Sequence, residues 1–304
     1  SASGYKRRQL ERMSRLQNHC RRIADKDHKT HSPSLDDVAS TLVNGFQILS
    51  QYSVLSCYVN KAGSSAWNAL LAHLYNLTEY LQPQHFYMMQ NELRPTEIQL
   101  RVAALTPSWI RFLMVRDPLS RLLSAYRDRI ADNSHYTFQA AHYGPLILHY
   151  TRPEKRYQDD EIFYTNNTLR IIPTFQEFVR FLVQDPVEKM DPHWKPIYSH
   201  CGACTVHFTH VVHMETFTED LVEITRECGM DSDIVSKVLQ DSSYKHESKQ
   251  KTSLLMTSYY ATLSTELLQE LLRIYNKDFI LFGYDPTTFL SNLQPNITID
   301  LDLT

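Results

Sequence analysis

The chain has few cysteines, no long apolar run and almost no net charge, and each shortage removes a class of protein. Five cysteines in 304 residues (Cys20, Cys57, Cys201, Cys204 and Cys228) are too few for a disulfide scaffold, though they allow two bridges with one thiol left over. No stretch approaches the roughly 18 consecutive apolar residues of a membrane helix. The start, Ser1-Ala2-Ser3-Gly4, lacks the charged-then-apolar pattern of a signal peptide. That leaves a soluble protein, or one whose anchor lies outside this chain. A formal charge of -3 argues against a protein that coats nucleic acid, so any anion must be met by locally placed Lys and Arg. Gly-x-x-x-x-Gly-Lys-Ser/Thr, the phosphate loop of nucleotide triphosphatases, is also missing, as is a clear magnesium-binding acid cluster, which disfavours a kinase.

What is present suits one enlarged domain: 42% hydrophobic and 21% charged residues can bury a single sizeable core. Residues 1–30 carry nine Lys/Arg against three Asp/Glu, with Leu10, Met13 and Leu16 at helical spacing. We read residues 1–45 as a basic, helical N-terminal stem and 46–304 as the main domain, separated by the break at His31-Ser32-Pro33-Ser34. Tyr52 to Val59 is short, β-branched and aromatic, as a buried strand should be. Asn60-Lys61-Ala62-Gly63-Ser64-Ser65 follows, and then Trp67, Leu70, Leu71 and Leu74 form a helical stripe. A second unit of this kind runs from Arg111–Val115 through Arg116-Asp117-Pro118 into Leu122, Leu123 and Tyr126. A third begins at Phe208–His213, followed by Thr216-x-x-Glu219, which has capping-box spacing. Repeated strand-then-helix order predicts an α/β fold, a mainly parallel sheet flanked by helices. Residues 131–200 are expected to form helices and loops around an acceptor cleft. Leu267 to Tyr275 marks a further amphipathic helix.

In such sheets ligands sit beyond the carboxyl ends of the strands, where the two polar turns lie. The first offers Gly63 for close backbone approach, the hydroxyls of Ser64 and Ser65, a helix N-terminus and the charge of Lys61, together a phosphate cradle. The second offers Arg116 at the strand end and Ser124 about two turns into the next helix. Arg121, Arg127 and Arg129 are expected to form structural ion pairs with Asp117 and Asp128. A proton acceptor near neutral pH calls for a histidine or a carboxylate; His193, amid Asp191, Trp194 and Lys195, is the candidate because its stretch resembles that of a known enzyme family, and Glu177 and Glu215 are the other candidates. No second pair of ligands stands at zinc-finger spacing beside Cys201-x-x-Cys204, so a local disulfide is expected there. Lys245, Lys249 and Lys251 suit a solvated loop or a grip on an acidic polymer or a bound cofactor. Sequons at Asn76, Asn166 and Asn296 lean toward the secretory pathway.

The segments Cys57–Trp67 and Val115–Asp128 together resemble the two motifs that bind 3'-phosphoadenosine-5'-phosphosulfate (PAPS) in the Golgi carbohydrate sulfotransferases, a family that includes the chondroitin and dermatan 4-O-sulfotransferases. Similarity continues in the family's order through Phe175–Val179, His193–Pro196, Cys201–Cys204, Glu215-Thr216 and Asp278–Tyr284, covering about residues 50–285. The resemblance implies a P-loop-like, PAPS-dependent sulfotransferase fold that uses no metal. It also implies that Lys61, Ala62, Gly63, Ser64, Ser65, Ala66 and Trp67 form the 5'-phosphosulfate motif, while Arg116, Asp117 and Ser124 belong to the 3'-phosphate motif. Lys61 would also act catalytically on the leaving oxygen. Asn60 departs from the pattern, where the family commonly has Pro; no phosphate-binding group is lost by it. The implied acceptor is a glycosaminoglycan or other glycan, foremost the 4-hydroxyl of N-acetylgalactosamine in chondroitin or dermatan. Terminal glucuronic acid and N-glycan N-acetylgalactosamine are alternatives. The implied setting is the Golgi lumen, with a type II anchor outside this chain and no nucleic-acid partner. The contrasting reading is a catalytically silent glycan-binding module on the same fold.

Overall fold

The computed structural model describes residues 2–26, 34–82, 85–241 and 255–294. Its centre is a four-stranded sheet of β1 (Phe46–Leu49), β2 (Val54–Cys57), β3 (Ile110–Val115) and β4 (His210–His213), in that spatial order. β1 is antiparallel to β2, whereas β2, β3 and β4 run parallel, with Val54 opposite Ile110 and Phe112 opposite His210. The mainly parallel sheet is therefore present. β1 was not anticipated, because four residues are too short for an alternation to stand out. Every residue of β2 is buried, and β3 is buried from Arg111 onward, as expected of parallel strands covered by helices.

In chain order the helices are α1 (Ala2–Lys26), α2 (Leu35–Leu42), α3 (Ser64–Leu74), α4 (Phe86–Glu92), α5 (Glu97–Leu105), α6 (Pro118–Tyr126), α7 (Phe138–Thr151), α8 (Asp159–Ile162) and α9 (Phe175–Leu182). They continue with α10 (Ile197–His200), α11 (Phe217–Glu227), α12 (Ser232–Gln240), α13 (residues 255–260), α14 (Thr265–Phe282) and α15 (Thr287–Leu293). The sheet, α3 and α12 share one core, where the Trp67 ring meets Phe112 edge-on at 5.1 Å. A second cluster joins α6, α9 and α14 through Leu122, Phe178 and Phe279. Phe279 belongs to this packing, whereas Leu281 and Phe282 join the first core, and Gly283, at φ 72, ends the helix in the left-handed conformation.

The predicted basic helix exists as α1, but its inner face is Tyr5, Gln9 and Leu16, and Leu10 points to solvent. Arg12 reaches the buried Asp220 at 2.6 Å and donates to the Val211 carbonyl, so a charged side chain ties the helix to β4 and α11. Gln9 accepts from Val211 N at 3.0 Å and donates to Val211 O at 3.1 Å, which occupies the outer edge of β4 as a neighbouring strand would.

The expected Cys201–Cys204 bridge does not form. Cys201 is buried and pairs with Cys57 at the end of β2, whereas Cys204 faces outward and pairs with Cys20 on α1. Gly202, at φ 56, turns the chain between them, so the two sulfurs leave on opposite sides. The separations of 144 and 184 residues make each bridge a constraint on the whole chain rather than on one loop. Cys228 is the remaining thiol. The capping box read at Thr216 is also absent: Thr216 donates to Asp220 and receives Arg12, and its side chain does not cap α11.

Candidate active site

Beyond the carboxyl ends of β2 and β3 opens a cleft of about 1160 Å³. Lys61, Gly63, Ser64, Ser65, Ala66, Arg116, Ser124 and His193 all line it, so residues far apart in sequence are brought to one wall system. The remaining expected residues contribute differently. Ala62 and Trp67 are fully buried, and the Trp67 indole donates to Gln47 at 2.9 Å inside the core. Asp117 accepts from Ser120 N at 2.8 Å and so caps α6.

The first turn has an unusual backbone. Lys61 has φ 66 and Gly63 has φ 90, both left-handed. A Cβ at Gly63 would stand 2.3 Å from the Phe217 ring, so glycine is required both by conformation and by space. Because Gly63 is the N-cap of α3 and has no side chain to cap it, the first-turn amides keep the donor capacity that an anion uses. The turn is braced from outside. Arg116 donates to Lys61 O at 3.0 Å, Arg121 donates to Asn60 O at 2.9 Å, and His200 donates to Tyr58 O at 2.9 Å. Arg121 also holds the carbonyls of Lys195 and Pro192, so the expected ion pair with Asp117 gives way to a hub that fastens three backbone segments. The Tyr58 hydroxyl is hydrogen-bonded with Ser64 and Asn68.

After Tyr126 the helix widens into a π turn over Arg127–Ala131, a geometry that sequence periodicity does not reveal. It places Asp128 beside Lys61, with Nζ to Oδ2 at 3.0 Å, and Arg129 Nε stands 2.9 Å from the same oxygen. Burial pulls the Lys61 ammonium below its ordinary pKa, with Asp128 opposing the shift. Asp128 is pushed up by burial, but Lys61 and Arg129 outweigh this and hold it below its usual range.

On the facing side, His193 Nδ1 meets Asp191 Oδ1 at 2.7 Å, and Gln139 donates to the other carboxylate oxygen. An ionised carboxylate at this distance fixes the proton on Nδ1 and leaves the lone pair on Nε2. Burial lowers the pKa of His193 while Asp191 raises it, with a net decrease, so the ring is neutral and able to accept a proton near pH 7. Glu177 is excluded as a rival by its ion pair with Arg152 at 2.6 Å and its capping bond to Thr174 N. Glu215 lines the cleft but accepts from the Tyr284 hydroxyl. Trp194 and Lys195 are not at the cleft surface: Trp194 packs on Tyr143 and Phe178, and Lys195 Nζ donates to Glu188 O.

Of the sequon residues, Asn76 and Asn166 are exposed, the latter accepting from Thr168 N and Oγ1. Asn296 and the lysines at 245, 249 and 251 lie outside the described residues.

Comparison with known proteins points one way. A model described as the sulfotransferase family matches residues 44–285. "Carbohydrate sulfotransferase 14" of Danio rerio is 30% identical over 250 residues, which cover 80% of this chain and 63% of that protein. "Carbohydrate sulfotransferase 11" of Rattus norvegicus is 27% identical over 252 residues, covering 79% and 66%. "Carbohydrate sulfotransferase 12" of Mus musculus is 24% identical over 303 residues, covering 91% and 68%. The chain thus spans just under two thirds of the length of the first two relatives. No solved structure matches.

Proposed function

The chain belongs to the sulfotransferase family, and from that premise we propose that it transfers the sulfuryl group of PAPS to a sugar hydroxyl in the cleft. The observation that carries the reading is the meeting of a glycine-capped helix start, the buried cations Lys61 and Arg116, and an Asp191-oriented His193 around one cavity. The donor fits these residues: the α3 amides with Lys61, Ser64 and Ser65 suit the 5'-phosphosulfate, and Arg116 with Ser124 suits the 3'-phosphate. This is the P-loop-like element of the fold in our reading.

When bound, the donor supplies a sulfuryl group already linked to a good leaving phosphate. His193 Nε2 removes the proton of the acceptor hydroxyl as that oxygen attacks sulfur. Lys61 would meet the bridging oxygen of a bound donor and offset the negative charge that grows there as the sulfur–oxygen bond breaks. An interaction that strengthens toward the transition state raises the rate rather than only the affinity. Burial of both groups strengthens the effect by excluding water.

The carbohydrate acceptor is supported by the names of the relatives. We further propose the 4-hydroxyl of N-acetylgalactosamine in chondroitin or dermatan, on the strength of the motif resemblance. A lumenal, oxidising setting is supported by the two long-range disulfides and the exposed Asn76 and Asn166. No helix among the described residues is long and apolar enough to cross a membrane.

The test is transfer of labelled sulfate from PAPS to a panel of desulfated chondroitin, dermatan, heparosan and terminal-glucuronyl oligosaccharides. Label on chondroitin or dermatan is expected, reduced about 100-fold or more by Lys61→Ala, in the range seen when a transition-state charge stabiliser is removed. His193→Ala should lower kcat by a similar order. No transfer to any acceptor, with no nucleotide binding by calorimetry, would leave a silent glycan-binding module in its place.

A further inference from the structure

The contact between Lys61 and Asp128 is unexplained by the proposed chemistry, which asks Lys61 to meet an anionic donor. The charged groups around the ammonium are Asp128 and Arg129 on the π turn, Arg116 at the end of β3, and His193 on the facing loop. Arg116 and Arg129 repel a positive charge on Lys61, and burial disfavours it further; the side chain is 11% exposed. Against three effects that would strip the proton stands one carboxylate at 3.0 Å. That carboxylate has a second cation, since Arg129 Nε lies 2.9 Å from the same oxygen. Asp128 therefore keeps a partner whether or not Lys61 stays.

Resting on the donor-binding reading above, we propose that Asp128 is a positioning residue that keeps the Lys61 ammonium charged in the empty cleft and hands it to the donor's anion. The π turn is the structural device: it carries Asp128 to the cleft directly after α6, and Asp132 N closes it on Arg127 O at 3.0 Å. On donor entry the incoming phosphosulfate supplies the counter-charge for Lys61, while Arg129 retains Asp128. Without Asp128, Lys61 would lose its proton at a lower pH and arrive at the donor uncharged.

Binding of the unreactive product 3'-phosphoadenosine-5'-phosphate, measured by calorimetry from pH 6 to 9.5, tests this. Wild-type affinity should begin to fall at a higher pH than that of Asp128→Asn. Asp128→Asn should bind at least as tightly at pH 6, then lose about tenfold per pH unit above a new, lower midpoint, as loss of one required proton dictates. Adding Lys61→Arg to Asp128→Asn should flatten the profile again, because a guanidinium holds its proton throughout. Damage to the fold would not be rescued in this way. An Asp128→Asn profile parallel to wild type would overturn the proposal. A wild-type protein that binds no nucleotide would instead overturn the donor-site reading. As a second readout, amine-directed labelling of Lys61 should set in at a lower pH in Asp128→Asn than in wild type, and an unchanged onset would equally overturn the proposal.

Discussion

Between β2 and α3 the chain turns through two left-handed residues, and the helix begins at a glycine without a cap; between β3 and α6 it turns at Asp117, which caps the helix itself, with Pro118 in the first position. Both turns join a parallel strand to a helix and both face the same cleft. They differ in what holds them. The second is fastened by a neighbour three residues away. The first is fastened by Phe217, Arg121, His200 and the Cys57–Cys201 bridge at its root, all distant in sequence. A turn that keeps its helix-start amides for a ligand is held locally by little more than Ala62 N on Val59 O at 3.3 Å, so the rest of the protein must brace it.

Breaking the first turn at its tightest point gives the largest expected effect. Gly63→Ala should destabilise the protein by about 2–4 kcal/mol, from the overpacking against Phe217 and the left-handed backbone, and should weaken product binding about tenfold or more. Urea unfolding and calorimetry read the two losses. An unchanged affinity would mean that the turn does not contact the donor.

The next effect is set by pH. His200 is half-buried beside the first turn, and desolvation there lowers its pKa to about 4. In the unfolded chain it takes up a proton near pH 6.5, whereas the folded protein refuses it until about pH 4. Stability is therefore complete above pH 6.5 and falls as pH drops toward 4, at up to about 1.4 kcal/mol per unit. His213, lowered in the same way to about 3, adds to the slope. His200→Gln, which preserves a donor for Tyr58 O, should give a shallower decline in urea-derived stability across that window. An identical slope would remove His200 from the account.

The smallest effect is expected at the second turn. Asp117→Ala removes an N-cap worth about 1 kcal/mol and should lower the melting temperature by a few degrees, while product affinity changes less than about threefold. A large loss of affinity would show that the two turns are more alike in function than in construction.

The same contrast explains what could be read in the sequence. Strand-then-helix order, the second turn and the cleft-lining residues Lys61, Gly63 and Arg116 rest on local pattern, and His193 on resemblance to the family; these were legible. Trp67 and Asp117 belong to the motif but do not line the cleft, because a motif records which residues occur together and not which way each faces. Asp128 was visible only as a partner for arginines. Its place beside Lys61 depends on the π turn, and a helix that widens by one residue leaves the apolar spacing before it intact. The disulfides were misread for a related reason: the spacing of Cys201 and Cys204 is local, but their burial is opposite.

The Gln9 amide that doubles as a strand partner for Val211 has a consequence for handling the protein. β4 is the last strand of the sheet, and its sequence, His-Val-Val-His, has no proline or central charge to discourage pairing with another molecule. A version trimmed to begin after α1 would bare that ladder and separate Cys204 from its partner thiol. Low yield or precipitation of such a truncation would reflect intermolecular sheet growth and mispaired sulfur, and would not mean that the catalytic residues had been lost.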